Sequence, residues 1–255
     1  MLRLFSKIRS SLLSEHRFSK YLIYAIGEII LVVVGILIAL EINNQNDTRK
    51  ERAKEVHYLQ NIKTDLNLNI EELDHYIQIR TKLIENADTI IRHFEGEPVK
   101  DLEQFNTLGI GIYSWQKYYQ KNNTFIELLN SGNLSIISND QIKNTLMNIE
   151  TLYKKLKYEE DHYRFDIEEN LYKPIYSMLD LNPMLNSYTF LMSNGTQGKD
   201  SPLTEKYYKN FFKSVSIKNG FILTTFQFSV MNAQMEEMKN MSLKLIDIID
   251  SEIQR

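Results

Sequence analysis

Between Tyr21 and Ile42 the chain reads YLIYAIGEIILVVVGILIALEI, 22 residues without a basic side chain. A helix that crosses a bilayer needs about 20 such residues. Leu22 to Leu40 holds thirteen Leu, Ile or Val residues. At roughly -0.3 to -0.6 kcal/mol each, they outweigh one mid-bilayer acid costing at most about 3 kcal/mol. The run therefore inserts despite Glu28. A core helix of a soluble protein is rarely apolar on every side. The stretch is also long for a signal peptide, and no small-x-small cleavage pattern follows it. An uncleaved anchor over residues 21–42 is the expectation, with the lipid bilayer as first partner.

At 100° per residue, Tyr21, Tyr24, Glu28, Gly35, Ala39 and Asn43 share one face of this helix. Small residues four apart, here Gly35 and Ala39, let another helix's backbone come close. A carboxyl on that stripe faces protein rather than lipid, so Glu28, Gly35 and Ala39 form the candidate membrane-helix contact. The competing reading is a protonated Glu28 near the inner interface, hydrogen-bonded locally to Tyr24. The partner expected at the stripe is a second copy or another membrane protein.

Orientation follows from basic residues. Arg3, Lys7, Arg9, Arg17 and Lys20 precede the span, while Arg49, Lys50, Arg52 and Lys54 follow it closely. The excess lies on the N-terminal side, which the positive-inside rule puts in the cytoplasm. In that tail, residues 1–20, Leu2, Phe5, Ile8 and Leu12 fall on one helical face. That arrangement suits a helix lying on an anionic leaflet, or equally a disordered basic tail.

The remainder, residues 43–255, is polar and sparsely punctuated: the chain has four prolines, nine glycines and no cysteine. Few breakers favour long helices. The absence of cysteine removes disulfides, thiolate metal sites and cysteine nucleophiles. A net charge of -3 gives no electrostatic footprint for nucleic acid. A long helix is predicted up to Phe94, ended by Gly96 and Pro98. Its seam places a positions at 59, 66, 73, 80, 87 and 94 and d positions at 56, 63, 70, 77, 84 and 91. Only Lys63 and Arg80 break that apolar stripe. A short helix is expected over Leu102–Leu108, interrupted by Gly109 and Gly111. Then come a helix ended by Gly132, an extended piece, and a cap at Asn139 or Asp140. The capped helix runs from about Gln141 to Lys173, with Ile142, Leu146, Ile149, Tyr153, Leu156, Tyr163 and Ile167 inward and Pro174 closing it. A loop over SNGTQGKDSP precedes a last helix from about Ile217 to Ile253. The expected fold is all-α: an N-terminal transmembrane helix followed by an elongated antiparallel helical bundle.

The segments MLRLFSKIRSSLLSEHRFSKYLIYAIGEIILVVVGILIALEINNQND, YLQNIKTDLNLNI and ELLNSGNLSIISNDQI resemble an uncharacterised family of single-pass membrane proteins from Gram-negative bacteria. That family is classed only as a domain of unknown function. The resemblance implies a membrane protein whose outer compartment is the periplasm, and supplies no activity, cofactor or catalytic residue.

Two patterns in the sequence are candidates for chemistry. Glu72…His75 and Glu159…His162 repeat the Glu-x-x-His spacing of bundle di-metal sites. In the seam above, Glu72 and His75 point outward, and the runs Glu71-Glu72 and Glu159-Glu160-Asp161 read as solvated helix faces. No metal, no cofactor and no enzyme are therefore expected. YSWQKYYQ places Trp115, Tyr118 and Tyr119 on one helical face, a candidate aromatic pocket or ordinary packing residues. The same two readings hold for Tyr207, Tyr208, Phe211 and Phe212. Protein association or scaffolding is the primary functional expectation. The rivals are a ligand-sensing bundle signalling through a membrane partner, and an accessory subunit using Glu28 as a proton-responsive carboxylate.

Overall fold

The computed structural model describes the backbone of residues 18–255 and side chains from residue 22, so the expected amphipathic tail lies outside it. The described chain is all helical, with no strand. It divides into two units, Met1–His57 and Tyr58–Arg255. Helix α1 runs Phe18–Phe94.

In the first unit, α1 carries the apolar run, and each of its Leu, Ile and Val residues from Leu22 to Ile42 is 46–73% exposed. This is one helix long and apolar enough to cross a membrane. Beyond Ile42 the helix turns polar and is held by pairs one turn apart. Asn43 Nδ2 donates to Asp47 at 3.1 Å, Gln45 Nε2 to Glu41 at 2.9 Å, and Thr48 Oγ1 to the Asn44 carbonyl at 2.9 Å. Such local pairs sustain a helix that has no apolar face to bury.

The second unit is built on α1 from Tyr58, α4 (Asp140–Ile167) and α8 (Val215–Ile253). Between them lie α2 (Leu102–Tyr113), α3 (Asn123–Asn130), α5 (Lys173–Met178), α6 (Leu181–Met192) and α7 (Glu205–Tyr208). α8 runs antiparallel to α1. Asp250, Lys239, Asn232, Thr225 and Lys218 meet Lys63, Asp74, Thr81, Asp88 and Glu95 in unbroken step. α8 is antiparallel to α4 as well: Glu252 meets Asn139 at one end, Thr224 meets Tyr163 further along, and Ser216 meets Asn170, just past the end of α4, at the other. α1 and α4 thus run the same way, joined by the crossing over residues 95–139. Leu59, Leu66, Leu73, Leu156, Tyr163, Ile167, Phe228 and a methionine row at 231, 235 and 238 fill the core. Unbranched methionines suit the irregular gaps left among these bulky rings.

Several local expectations are corrected. The stripe of α1 buries positions 59, 66, 73, 80 and 87 as expected, but its second fully buried row is Ile62, Asn69, Leu83 and Ile90. The expected row at 56, 63, 70, 77, 84 and 91 is only half-buried. α2 runs through Gly109 and Gly111 to Tyr113, because burial of Phe105, Ile110 and Ile112 outweighs two helix-weakening glycines at about 1 kcal/mol each. The piece after Gly132 is a 3₁₀ turn, Asn133–Ile136, rather than extended. Gly132 does stop α3, at φ +71°, and Asn139 is the cap of α4, its side chain accepting from the Gln141 and Ile142 amides.

Pro174 does not close the helix either. α4 widens into a π turn, Glu168–Tyr172, and continues as α5. A proline ring clashes with the carbonyl four residues back in a regular helix. A π turn spaces that carbonyl away. The widened turn also presses on α8: a Cβ on Gly220 would lie 2.4 Å from Leu171 Cγ and 2.6 Å from its Cδ2. Gly220→Ala is therefore expected to destabilise the unit by about 1–3 kcal/mol through overpacking, despite alanine's better helix propensity. Thermal melts followed by circular dichroism check this; a raised midpoint would mean that α8 and the π turn are not packed this closely.

Candidate functional site

Residues 114–122, between α2 and α3, form an irregular segment, not the helix that the tyrosine spacing suggested. Irregular backbone needs partners for its amides and carbonyls, and here buried side chains supply them. Asn69 on α1 donates from Nδ2 to the Lys121 carbonyl at 2.7 Å, and its Oδ1 accepts from the Lys121 amide at 2.7 Å. Tyr76 donates its hydroxyl to the Lys117 carbonyl at 3.0 Å. The Tyr118 hydroxyl closes on Asn69 Oδ1 at 3.2 Å.

The deepest anchor is an ion cluster. Arg80 of α1, 2% exposed, pairs through Nη2 with Glu160 Oε1 of α4, which is 0% exposed. The same Oε1 accepts the Tyr118 amide at 2.9 Å. Glu160 Oε2 accepts from Lys157 Nζ at 2.7 Å, and Lys157 also donates to the Tyr118 carbonyl at 2.9 Å. Arg80 Nη2 reaches the Gln116 carbonyl at 3.4 Å. The guanidinium lies between the Tyr76 and Phe228 rings, 5.9 and 5.6 Å from their centroids. Burial lowers the Arg80 pKa and Glu160 opposes that shift. The Glu160 carboxylate beside it favours the charged guanidinium. Burial raises the hydroxyl pKa of Tyr118 and Tyr163, and pushes Tyr172 up to about 12. These phenols therefore serve as neutral donors.

Glu160 thus corrects the expectation of a solvated Glu159-Glu160-Asp161 face. Arg80 does not weaken the α1 stripe by chance; it is the partner of that acid. Both were missed in the sequence. The other seam charge, Lys63, reaches Asp250 of α8 at 2.5 Å.

Two clefts flank the pinned segment. One, of about 500 Å³, is walled by Tyr76, Trp115, Lys117, Tyr119, Arg164 and Tyr172. The other, of about 390 Å³, is walled by His75, Tyr76, Arg80, Leu83, Trp115 and Gln116. Of the three residues of the candidate pocket, Trp115 lines both clefts and packs edge-on to Tyr163 at 4.9 Å. Tyr119 is 65% exposed, with Lys157 Nζ 4.3 Å from its ring centroid. Tyr118 is buried in the core instead. Tyr208, Phe211 and Phe212 gather elsewhere, packed with Phe94 and Phe105 in an aromatic cluster.

The Glu-x-x-His motifs are occupied separately. Glu72 pairs with Lys121 at 2.6 Å, and His162 Nε2 lies 3.7 Å from Asp166. Among the described residues no group of three His, Cys, Asp or Glu side chains is placed to hold a metal ion. In the first unit Glu28, Gly35 and Ala39 are all exposed along α1, and nothing lies within 4 Å of a Cβ placed on Gly35.

Neither a curated protein nor a solved structure matches this chain. Residues 28–189 match the model of a family of unknown function, a stretch that runs from Glu28 through the pinned segment and the ion cluster. With most of its length matched, the protein belongs to that family, DUF6090.

Proposed function

We propose that this is a non-enzymatic, single-pass protein of the inner membrane that works by protein association. Its N-terminus lies in the cytoplasm and its helical unit in the periplasm. The observation that carries this reading is the helix over residues 22–42, whose Leu, Ile and Val side chains are all exposed. Such a surface in water would be an aggregation patch, whereas in lipid it is an anchor. Glu28 sits in that anchor, on the stripe it shares with Gly35 and Ala39. A lipid-facing carboxyl is costly, so the stripe faces a helix of a second copy or of another membrane protein.

The chain has no cysteine, so single cysteines can be introduced along residues 24–42 without background. Oxidative crosslinking in native membranes is expected to give yields that peak at 28, 35 and 39 and fall between them. A yield flat along the helix removes the proposal. The mass of the product distinguishes a second copy from a different partner. A second reading, a ligand-responsive bundle, is favoured by the pinned segment and its clefts.

A further inference from the structure

We infer that the cleft of about 390 Å³ beside Trp115 binds a small organic monocarboxylate with an aromatic or aliphatic body. This goes beyond association through the membrane stripe and does not depend on it.

The first argument is charge. Arg80 and Lys157 are two cations sharing one carboxylate, that of Glu160. The cluster therefore holds one uncompensated positive charge. Neighbouring ion pairs do not cancel it, since Lys117 with Asp161 and Lys121 with Glu72 are each balanced. Lys157 keeps part of its side chain in water outside this cleft, so Arg80 is the cation that the cleft itself presents to an anion.

The second argument is hydrogen bonding. A guanidinium carries five N–H donors. The protein brings oxygen acceptors to Nη2 alone, from Glu160 and the Gln116 carbonyl. Nη1 meets only the Met231 sulfur, at 3.2 Å. Sulfur is a weak acceptor, and Nε finds no acceptor among the described residues. No Arg80 atom is among the buried side-chain atoms that lack a partner, so the donors that the protein leaves over meet solvent, and Arg80 forms part of the wall of this cleft.

The third argument is the remaining wall. Tyr76, Ile79, Leu83 and Trp115 are apolar or aromatic, while His75 and Gln116 add polar atoms. The volume falls in the range of small-molecule sites, about 300–1,000 Å³, and the wall sets apolar and aromatic side chains beside polar ones. Inorganic phosphate would leave the apolar wall without a partner. A carboxylate on a hydrophobic body uses both halves. The ion cluster also fixes the backbone that carries Trp115 and Gln116, so the cleft is formed before a ligand arrives, and little ordering entropy is lost on binding.

Trp115 is the chain's one tryptophan, so its fluorescence reports on this cleft directly. The full-length protein in detergent is titrated to about 10 mM with phenylacetate, phenylacetamide or inorganic phosphate, a span that reads weak binding. Phenylacetate is expected to give a saturable change in Trp115 emission, with phenylacetamide at least tenfold weaker and phosphate silent. Arg80→Lys keeps the charge but not the fork of donors, and is expected to weaken phenylacetate at least tenfold. Should that variant fold poorly, Ser114→Phe fills the cleft from an exposed wall position without touching the ion cluster. It is expected to abolish the response at an unchanged melting temperature. No saturable response to phenylacetate overturns the inference. So does an equal response to phenylacetamide, a response to phosphate alone, or a phenylacetate response that survives Ser114→Phe.

Discussion

Arg80→Ala is expected to destabilise the helical unit by about 3–5 kcal/mol, because it leaves the Glu160 carboxylate buried without its main counter-charge. At about 2–4 °C per kcal/mol for a unit of this size, the melting temperature should fall by roughly 6–20 °C. The size of the effect comes from where the charges sit. Exposed ion pairs such as Lys82 with Glu85, whose side chains are mostly in water, contribute about 0–1 kcal/mol. Arg80 and Glu160 are cut off from water almost completely. Losing one partner also exposes the anchoring logic of residues 114–122. The Tyr118 amide would keep its acceptor, but the Gln116 carbonyl would lose its bond to Arg80. The control is the double variant Arg80→Met, Glu160→Leu, which removes both charges and keeps apolar volume. A buried pair replaced by hydrophobic residues is often neutral for stability. Here the double variant should recover most of the loss, less about 1–3 kcal/mol for the Tyr118 amide left without its acceptor. Lys157, still partly exposed, can turn its ammonium to water. A loss under about 1 kcal/mol for Arg80→Ala would mean the pair is solvated in solution, against its burial here.

Much of this architecture was legible in the sequence, and the misses share a cause. The three long helices, the stop at Gly96 and the caps at Gly132 and Asn139 follow from hydrophobic period and local turn chemistry. The second row of α1 slipped by one residue. Tyr76-Ile77, Leu83-Ile84 and Ile90-Ile91 are apolar doublets, so composition could not choose between the members. Asn69 beside Ile70 tipped the choice the wrong way. It is polar and buried because it holds Tyr118 and Lys121, a contact with no local signature. The same blindness hid the ion cluster, although half its signal was present. Leu156, Glu160 and Tyr163 follow the inward spacing of α4, and Arg80 lies on the inward spacing of α1. Two opposite charges on two buried stripes were a pair waiting to be matched. What no periodicity carries is the irregular segment at 114–122. Its aromatic spacing imitates a helical face, and its path is set by hydrogen bonds to two other helices, α1 and α4. For the same reason the split of its aromatics, Trp115 and Tyr119 outward and Tyr118 inward, lay beyond reach.

The other large effect concerns the span itself. Thirteen Leu, Ile and Val residues contribute roughly 4–8 kcal/mol of insertion free energy, against at most about 3 kcal/mol for Glu28. The margin is therefore a few kcal/mol, and two central charges should exceed it. Val33→Arg with Leu37→Arg adds about 5–7 kcal/mol of cost and removes about 1 kcal/mol of gain. Both positions are exposed, so nothing in the first unit should shelter the new charges. The wild-type chain is expected to stay in the membrane pellet after alkaline carbonate extraction, and the double variant to appear in the soluble fraction. Val33→Leu with Leu37→Ile, which changes shape but not polarity, should behave as the wild type. Each substitution lies away from the stripe of Glu28, Gly35 and Ala39, so the comparison isolates lipid insertion from helix contact. Should the Arg variant remain in the pellet while the wild type does too, the helix is held by protein rather than by lipid. Should the wild type be extracted, the anchor itself is refuted, because no protein partner is needed to keep so apolar a helix in a bilayer.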